Sequence, residues 1–217
     1  LDMKLQLELE GDDLCNEKGR TEFVKTSMDS LSDIEIFVKN LTTTIDDFRT
    51  FYKPDKIASS TKISSAVAKS FHIVQNSMKA AHIDIILSCE DNEAYLTLFE
   101  NEMIQVILNL FKNSQDNFEE KNIPSKEIHV HVYASQTHGI LDISDNGGGI
   151  APEVLPHIFE PYFTTKDEKN GTGLGLYMVK TIIEEHHHGT ISVSNQEDGC
   201  CFKIKIPLKK GNDNDDI

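Results

Sequence analysis

Between Leu31 and Tyr52 the apolar residues Leu31, Ile34, Val38, Leu41, Ile45, Phe48 and Tyr52 recur at alternating steps of three and four. That spacing is the a/d seam of a helix that packs in a coiled coil or bundle. The helical pattern runs from Thr21 and stops before Pro54, whose ring cannot continue an α-helix. A helix of about 30 residues is about 45 Å long at a rise of about 1.5 Å per residue. It is therefore an elongated module, distinct from the remainder of the chain. A strictly heptad seam favours a dimerising helical hairpin over a solitary amphipathic helix folded onto its neighbour. Ahead of it, Leu1 to Glu10 fit helix and strand spacing alike, and Gly11 to Gly19 carry the residues of a loop.

A chain of 217 residues has room for an ordinary domain and an appendage. Hydrophobic residues at 38% and charged residues at 26% argue for a packed core and against disorder. Lys and Arg number 21 against 36 Asp and Glu, a net charge of -15, which makes the chain a poor sequence-independent ligand for nucleic acid or anionic membrane. No apolar run reaches bilayer length and no signal peptide opens the chain, so a cytoplasmic setting without membrane contact is expected. Cys15, Cys89, Cys200 and Cys201 form no paired framework, which fits reduced thiols. Leu1 is not an initiator Met, and periodic sequence begins at once. The expectation is a fragment of a longer protein, whose missing N-terminal part is free to anchor it to a membrane.

After a linker over residues 55–60 the pattern becomes mixed. Helices are expected at Ser64–Ala81, Glu100–Lys121 and Leu174–His187. Strands are expected at Ile83–Cys89, Ala94–Leu98, Glu127–Ser135, Gly139–Ser144, Thr190–Asn195 and Cys201–Pro207. That order predicts an α+β domain over residues 55–210, three helices stacked on one face of a mixed sheet. Residues 1–54 form the helical module, and 211–217 an acidic tail.

Three constellations carry chemistry. On the Glu100–Lys121 helix, Met103, Val106, Ile107, Leu110, Phe111 and Phe118 make the core stripe. The opposite stripe holds Glu102, Gln105, Asn109, Asn113 and Asp116. Amides are weaker helix formers than the Lys and Glu of an ordinary solvent face, but they offer oxygen to a hard cation and N–H to phosphate. Second, Asp145-Asn146-Gly147-Gly148-Gly149-Ile150 follows a strand. Its glycines let the backbone approach a flat ligand, and its carboxylate can accept from an exocyclic amine such as that of adenine. A tight turn would read the same way. Third, Gly171-Thr172-Gly173-Leu174-Gly175-Leu176 opens the last helix, where backbone N–H groups and the helix dipole attract phosphate. No run of βαβ units comes after it, which makes a dinucleotide fold a poor reading, and the GK[ST] ending of a P-loop is absent. The preceding Phe159 to Lys166 has the composition of a hinged lid.

In this order and spacing the motifs resemble the ATP-binding catalytic domain of two-component sensor histidine kinases. Asn109-xxx-Asn113 is similar to the N box, Asp145-x-Gly147-x-Gly149 to the first glycine box, Phe159 to Lys166 to the F box and Gly171 to Leu176 to the second glycine box. The heptad helix resembles the second helix of the family's dimerisation and phosphotransfer hairpin. The resemblance implies a Bergerat-type α/β sandwich that binds ATP and Mg²⁺ between the N-box helix and the lid. It implies that Asn113 coordinates Mg²⁺, that Asn109 faces the phosphates and that both serve catalysis. Asp145 would bind the adenine amine, with Gly147, Gly149 and Ile150 shaping that side. Gly171, Thr172, Gly173, Leu174, Gly175 and Leu176 would wrap the triphosphate, and Asp116, Phe159, Thr165 and Lys166 would complete the nucleotide site. The partners implied are a second copy, through the hairpin, and the receiver domain of a response regulator.

Departures from the family pattern are equally specific. Its phosphoacceptor is a His on the first hairpin helix, yet the first histidine here is His72. Ser114 and Asn117 stand around the N box where small Ala is common, and Cys200-Cys201 replaces hydroxyl residues before the penultimate strand's Phe. His186, His187 and His188, about 100° apart on a helix of about 3.6 residues per turn, cannot converge on one metal. They read as a cationic helix C-terminus before a Gly189 cap. His129 and His131 read as exposed strand residues. Related ATPases carry a general-base Glu where this chain has Asn109, and an amide cannot take a proton near neutral pH. That favours the kinase over a hydrolase. A scaffold with a vestigial nucleotide pocket is the reading from another class.

Overall fold

The computed structural model describes Glu17–Phe51, 57–166 and 172–208. Two compact units are distinguished, Leu1–Tyr52 with Thr165–Thr172 and Lys53–Thr164 with Gly173–Ile217. Residues 1–16 and the 211–217 tail lie outside the described residues.

The first unit is built on α1, Glu17–Phe51, a helix of 35 residues. It starts four residues before the sequence pattern does, and Thr21 Oγ1 donates back to Glu17 O at 2.8 Å in its first turn. Leu31, Ile34 and Val38 of the heptad seam are exposed, as are Val24 and Met28 before them.

The second unit joins β1 (Ser59–Thr61), α2 (Ile63–Ala80), β2 (Ile83–Cys89), β3 (Leu96–Leu98), α3 (Glu100–Glu120), β4 (Lys126–Ala134) and β5 (His138–Asp145). It ends with α4 (Gly175–Thr181), β6 (Thr190–Asn195) and β7 (Cys200–Pro207). Five strands form one sheet in the order β2-β4-β5-β7-β6, and β1 pairs with β3 in a separate ribbon. β2 and β4 run parallel, which requires the crossover that α3 supplies, and the remaining pairs are antiparallel. The expected α+β sandwich is thus present. The expected linker is corrected at its end: Ser59 and Ser60 pair with Leu98 and Thr97. A strand of three small polar residues has no period to read.

Alternation along the strands places Val130 and Val132 of β4, Leu141 and Ile143 of β5, and Phe202, Ile204 and Ile206 of β7 in the core. Cross-strand register stacks Val130, Ile143 and Phe202 in one row and Val132, Leu141 and Ile204 in the next. All six residues of the apolar stripe on α3 are buried against this face. Each such side chain contributes about 1.5–3 kcal/mol by leaving water. The opposite face is polar. There Lys203 Nζ donates to Tyr133 Oη at 2.8 Å and to Asp142 Oδ2 at 3.0 Å, and these bonds hold the ammonium pKa above its ordinary value. On that face His129 is exposed beside Glu127, as expected, whereas His131, beside Glu90, is half-buried because its ring stacks on Tyr133 at 4.7 Å.

The last helix departs from expectation. After Thr181 it widens into a π turn, Ile182–His186, where the His187 N–H donates to Ile182 O at 3.1 Å. His187 is thereby buried, its ring edge-on to Phe99 at 5.6 Å, and His186 Nδ1 lies 3.0 Å from Glu102 Oε2. Two sequence expectations are corrected here. Glu102 belongs to the interior rather than to a polar ligand-facing stripe, and His187 is not part of a solvated helix end. The left-handed position falls on His188, φ 51°, not on Gly189. Gly189 answers a different demand: a Cβ there would strike the carbonyl of Lys205. No helix among the described residues is long and apolar enough to cross a membrane.

Candidate functional site

β5 ends on Asp145, whose side chain points to the helix layer and is 7% exposed. A carboxylate so buried needs donors. Gly147 N donates to Oδ1 at 2.9 Å and Ser114 Oγ, from α3, to Oδ2 at 2.9 Å. Cys200 Sγ lies 3.5 Å from the same Oδ2. Burial first, then the neighbouring carboxylate, push the Cys200 thiol well above its ordinary range. It therefore stays protonated and remains a donor. The two departures noted at Ser114 and Cys200 are donors to the one carboxylate expected to meet the base.

The glycine loop after Asp145 is held from two sides. Gly148 and Gly149 are left-handed, φ 77° and 68°, a conformation that favours glycine. From α3, Asn117 Nδ2 donates to Gly147 O at 2.8 Å, and Lys121 Nζ reaches Gly147 O at 3.0 Å and Gly149 O at 2.7 Å. From the end of β6, Asn195 clasps Ile150 through both backbone groups, Oδ1 to the N–H at 2.8 Å and Nδ2 to the C=O at 2.7 Å. Asn146 ties the loop to β4, accepting from Glu127 N at 2.9 Å and donating to Ser125 O at 2.8 Å.

One turn back along α3, Asn109 and Asn113 are both half-buried. Asn113 Nδ2 is buried and makes no hydrogen bond among the described residues. The Asn109 side-chain oxygen lies 3.5 Å from where a Cβ on Gly175 would stand, so the N-box helix and the second glycine box are neighbours. Gly173 is left-handed, φ 65°, and packs on the backbone of Tyr162 and Phe163, where a Cβ has no room. Leu174 is buried and Leu176 half-buried. Phe159 sits edge-on to Phe202 at 6.5 Å with Lys180 Nζ 5.8 Å from its ring centre. Asp116 lies beside Lys112 on α3, paired 2.5 Å away. Thr165 and Lys166 end one run of described residues and Thr172 begins the next. Gly171 falls outside them, whereas Phe159 to Lys166, the expected lid, is described in full.

Asp145, Gly147, Gly149, Ile150, Asn109, Asn113, Gly173 and Gly175 are thus brought to one end of the sheet and helix layer. Lys121 and Asn195 had no sequence signal, since their role exists only through bonds spanning 28 and 45 residues.

Residues 98–210 match the family of histidine kinase-, DNA gyrase B- and HSP90-like ATPases. The sensor histidine kinase ZraS of Escherichia coli is 32% identical over 160 residues, 72% of this chain and 32% of its own. Sporulation kinase A of Bacillus subtilis is 38% identical over 133 residues, 58% of this chain and 20% of its own. The two-component sensor PprA of Pseudomonas aeruginosa is 36% identical over 111 residues, half of this chain and 12% of its own. The chain spans a third or less of each of these relatives. Among solved structures, the catalytic domain of the histidine kinase ThkA matches with a TM-score of 0.61 at 24% identity, over 70% of this chain and 97% of that one. The Acinetobacter baumannii histidine kinase AdeS matches with a TM-score of 0.63 at 22% identity, over 96% and 93%. The chain belongs to the histidine kinase-, gyrase B- and HSP90-like ATPase family, and within it is a catalytic core of the two-component sensor histidine kinase type.

Proposed function

We propose that this chain binds Mg-ATP at the end of β5 and transfers the γ-phosphoryl group to a histidine, for relay to an aspartate of a response regulator. The observation that carries the reading is the convergence on one edge of a buried, three-donor Asp145, a doubly anchored glycine loop, and Asn109 lying against Gly175. In this reading residues 55–210 are the ATP-binding domain and 1–54 the hairpin segment through which two copies associate. The solved structure of ThkA with the response regulator TrrA is of a protein with this fold, and supports a receiver domain as partner.

Each residue has a chemical task. Asp145 offers its buried carboxyl group to the exocyclic amine of adenine, with its other acceptor sites taken by Gly147, Ser114 and Cys200. Gly147, Gly149 and Ile150 shape the floor under the base. Asn109 and the N–H groups opening α4 at Gly173, Leu174, Gly175 and Leu176 face the phosphates, where the helix dipole favours negative charge. On the second unit Phe159 and Asp116 complete the enclosure; Thr165, Lys166, Gly171 and Thr172 are assigned to the nucleotide by the family resemblance alone. The donor set fits Mg²⁺: Asn113 Nδ2 is buried with no hydrogen bond among the described residues, and the oxygen of that amide is a hard neutral ligand that would leave the remaining positions to phosphate oxygens and water. Bound there, the metal would neutralise charge that develops on the transferring group. The chain itself supplies orientation, and Asn109 cannot act as general base for water, so transfer is favoured over hydrolysis.

No histidine precedes His72, and His187 is buried beneath the π turn at the end of the helix that carries the glycine box. In-line transfer needs a neutral imidazole on an element that the ATP domain can reach. The chain should therefore bind ATP without labelling itself, and should label an added hairpin fragment bearing a histidine. Incubation with γ-labelled ATP, alone and with that fragment, tests this. Acid-labile label on the chain alone would place the acceptor among its own nine histidines.

A further inference from the structure

The Asp145 loop poses an electrostatic problem that its glycines do not solve. α3 ends at Glu120, so partial negative charge gathers at its C-terminal turn, the turn from which the Asn117 and Lys121 side chains reach the loop. The carbonyls of Gly147 and Gly149 turn towards that same helix end, because the left-handed conformations of Gly148 and Gly149 direct them there. Lys121 is the C-cap residue of α3, and its Nζ lies 3.0 Å from Gly147 O and 2.7 Å from Gly149 O. An ammonium has three donors, of which the loop takes two. Its charge also complements the helix C-terminus. Asn117, one turn earlier, adds a neutral bond to Gly147 O at 2.8 Å.

We propose that Lys121 is a positioning residue of the nucleotide site, its ammonium bridging two carbonyls of the glycine loop and so fixing the backbone that lies under the base. It acts through Gly147 and Gly149 rather than by touching nucleotide. The inference rests on the reading of the Asp145 loop as part of a nucleotide site, and predicts that affinity is set in part by a side chain outside the family motifs.

The test uses the whole chain and the variants Lys121→Met, which keeps the stem and loses the charge, and Lys121→Arg, which keeps a charged double donor. Hydrogen exchange is measured without nucleotide, and AMP-PNP binding by calorimetry with Mg²⁺ present. Two charge-assisted bonds at a partly exposed site should be worth a factor of roughly five to ten in Kd. Lys121→Met should show that loss and faster exchange at the amides of Gly148 to Ile150. Its thermal midpoint should stay within about 2 °C of the parent. Lys121→Arg should restore both readouts. Unchanged exchange in Lys121→Met, or a Kd equal to the parent's, overturns the proposal. So does a loss of binding that tracks general destabilisation and is not restored by Arg. If the parent itself fails to bind AMP-PNP, the nucleotide reading falls, while the exchange of the free loop still decides whether Lys121 positions it.

Discussion

Asp145 shows how much of a site can rest on groups that no motif names. Its partners Ser114 and Cys200 are departures from the family pattern, and read from sequence alone they amount to changes in packing. The structure makes them donors to the same oxygen, Oδ2. The thiol carries a signed consequence. Its pKa in the folded chain is raised above the ordinary 9.0, so above that pH the unfolded chain releases a proton that the folded chain retains. Stability contributed by the protonated thiol is complete below 9.0 and is lost as pH rises above it. Cys200→Ser keeps a donor and removes the titration, so urea denaturation at pH 7 and at pH 10 should show a smaller loss of stability for the variant than for the parent. An equal loss in both would mean that another group governs the alkaline limb. At Asn113 the expectation is metal-specific. Asn113→Ala should weaken Mg-ATP binding by a factor of about ten or more, as loss of a metal ligand does, and metal-free nucleotide far less. Equal losses in titrations with and without Mg²⁺ would remove this residue from the metal.

Among the elements, those with strong periods were legible and those shaped by contacts across the fold were not. The stripe Met103 to Phe118 placed α3 to within one residue of its end, and alternating apolar residues located β2 and β6 at both ends. β1 escaped because Ser59-Ser60-Thr61 has no apolar period and exists through its partner β3. The π turn escaped because Ile182 and Ile183 fit an α-helical pattern equally well, and only packing of His187 decides between the two hydrogen-bond ladders. Gly199, the residue before β7, belongs to the same class. A Cβ there would overlap the carbonyl of Asp145 on the paired strand. Gly199→Ala should cost about 1–3 kcal/mol, as overpacking against rigid backbone does. It should also displace Asp145 and weaken nucleotide binding. Denaturation and calorimetry on one preparation would register both effects, and a variant as stable as the parent would show that the strand end yields without strain.

For the molecule as a whole, the heptad seam of α1 was the plainest sequence feature, and its residues Leu31, Ile34 and Val38 remain in water in a single chain. Val38→Asp should hold the chain as a monomer in sedimentation, because burying an unpaired carboxylate in a seam costs several kcal/mol. An unchanged oligomer would move the seam elsewhere. Counting Val24 and Met28, exposed large apolar side chains recur along α1 from Val24 to Val38, and this has a consequence for how the chain melts. The second unit buries its own core and should unfold at a temperature independent of dilution. Under the proposed association of two copies through α1, that helix obeys mass action instead, so its midpoint should climb with protomer concentration. Calorimetric scans across a hundredfold range of protein should resolve one fixed transition and one that slides.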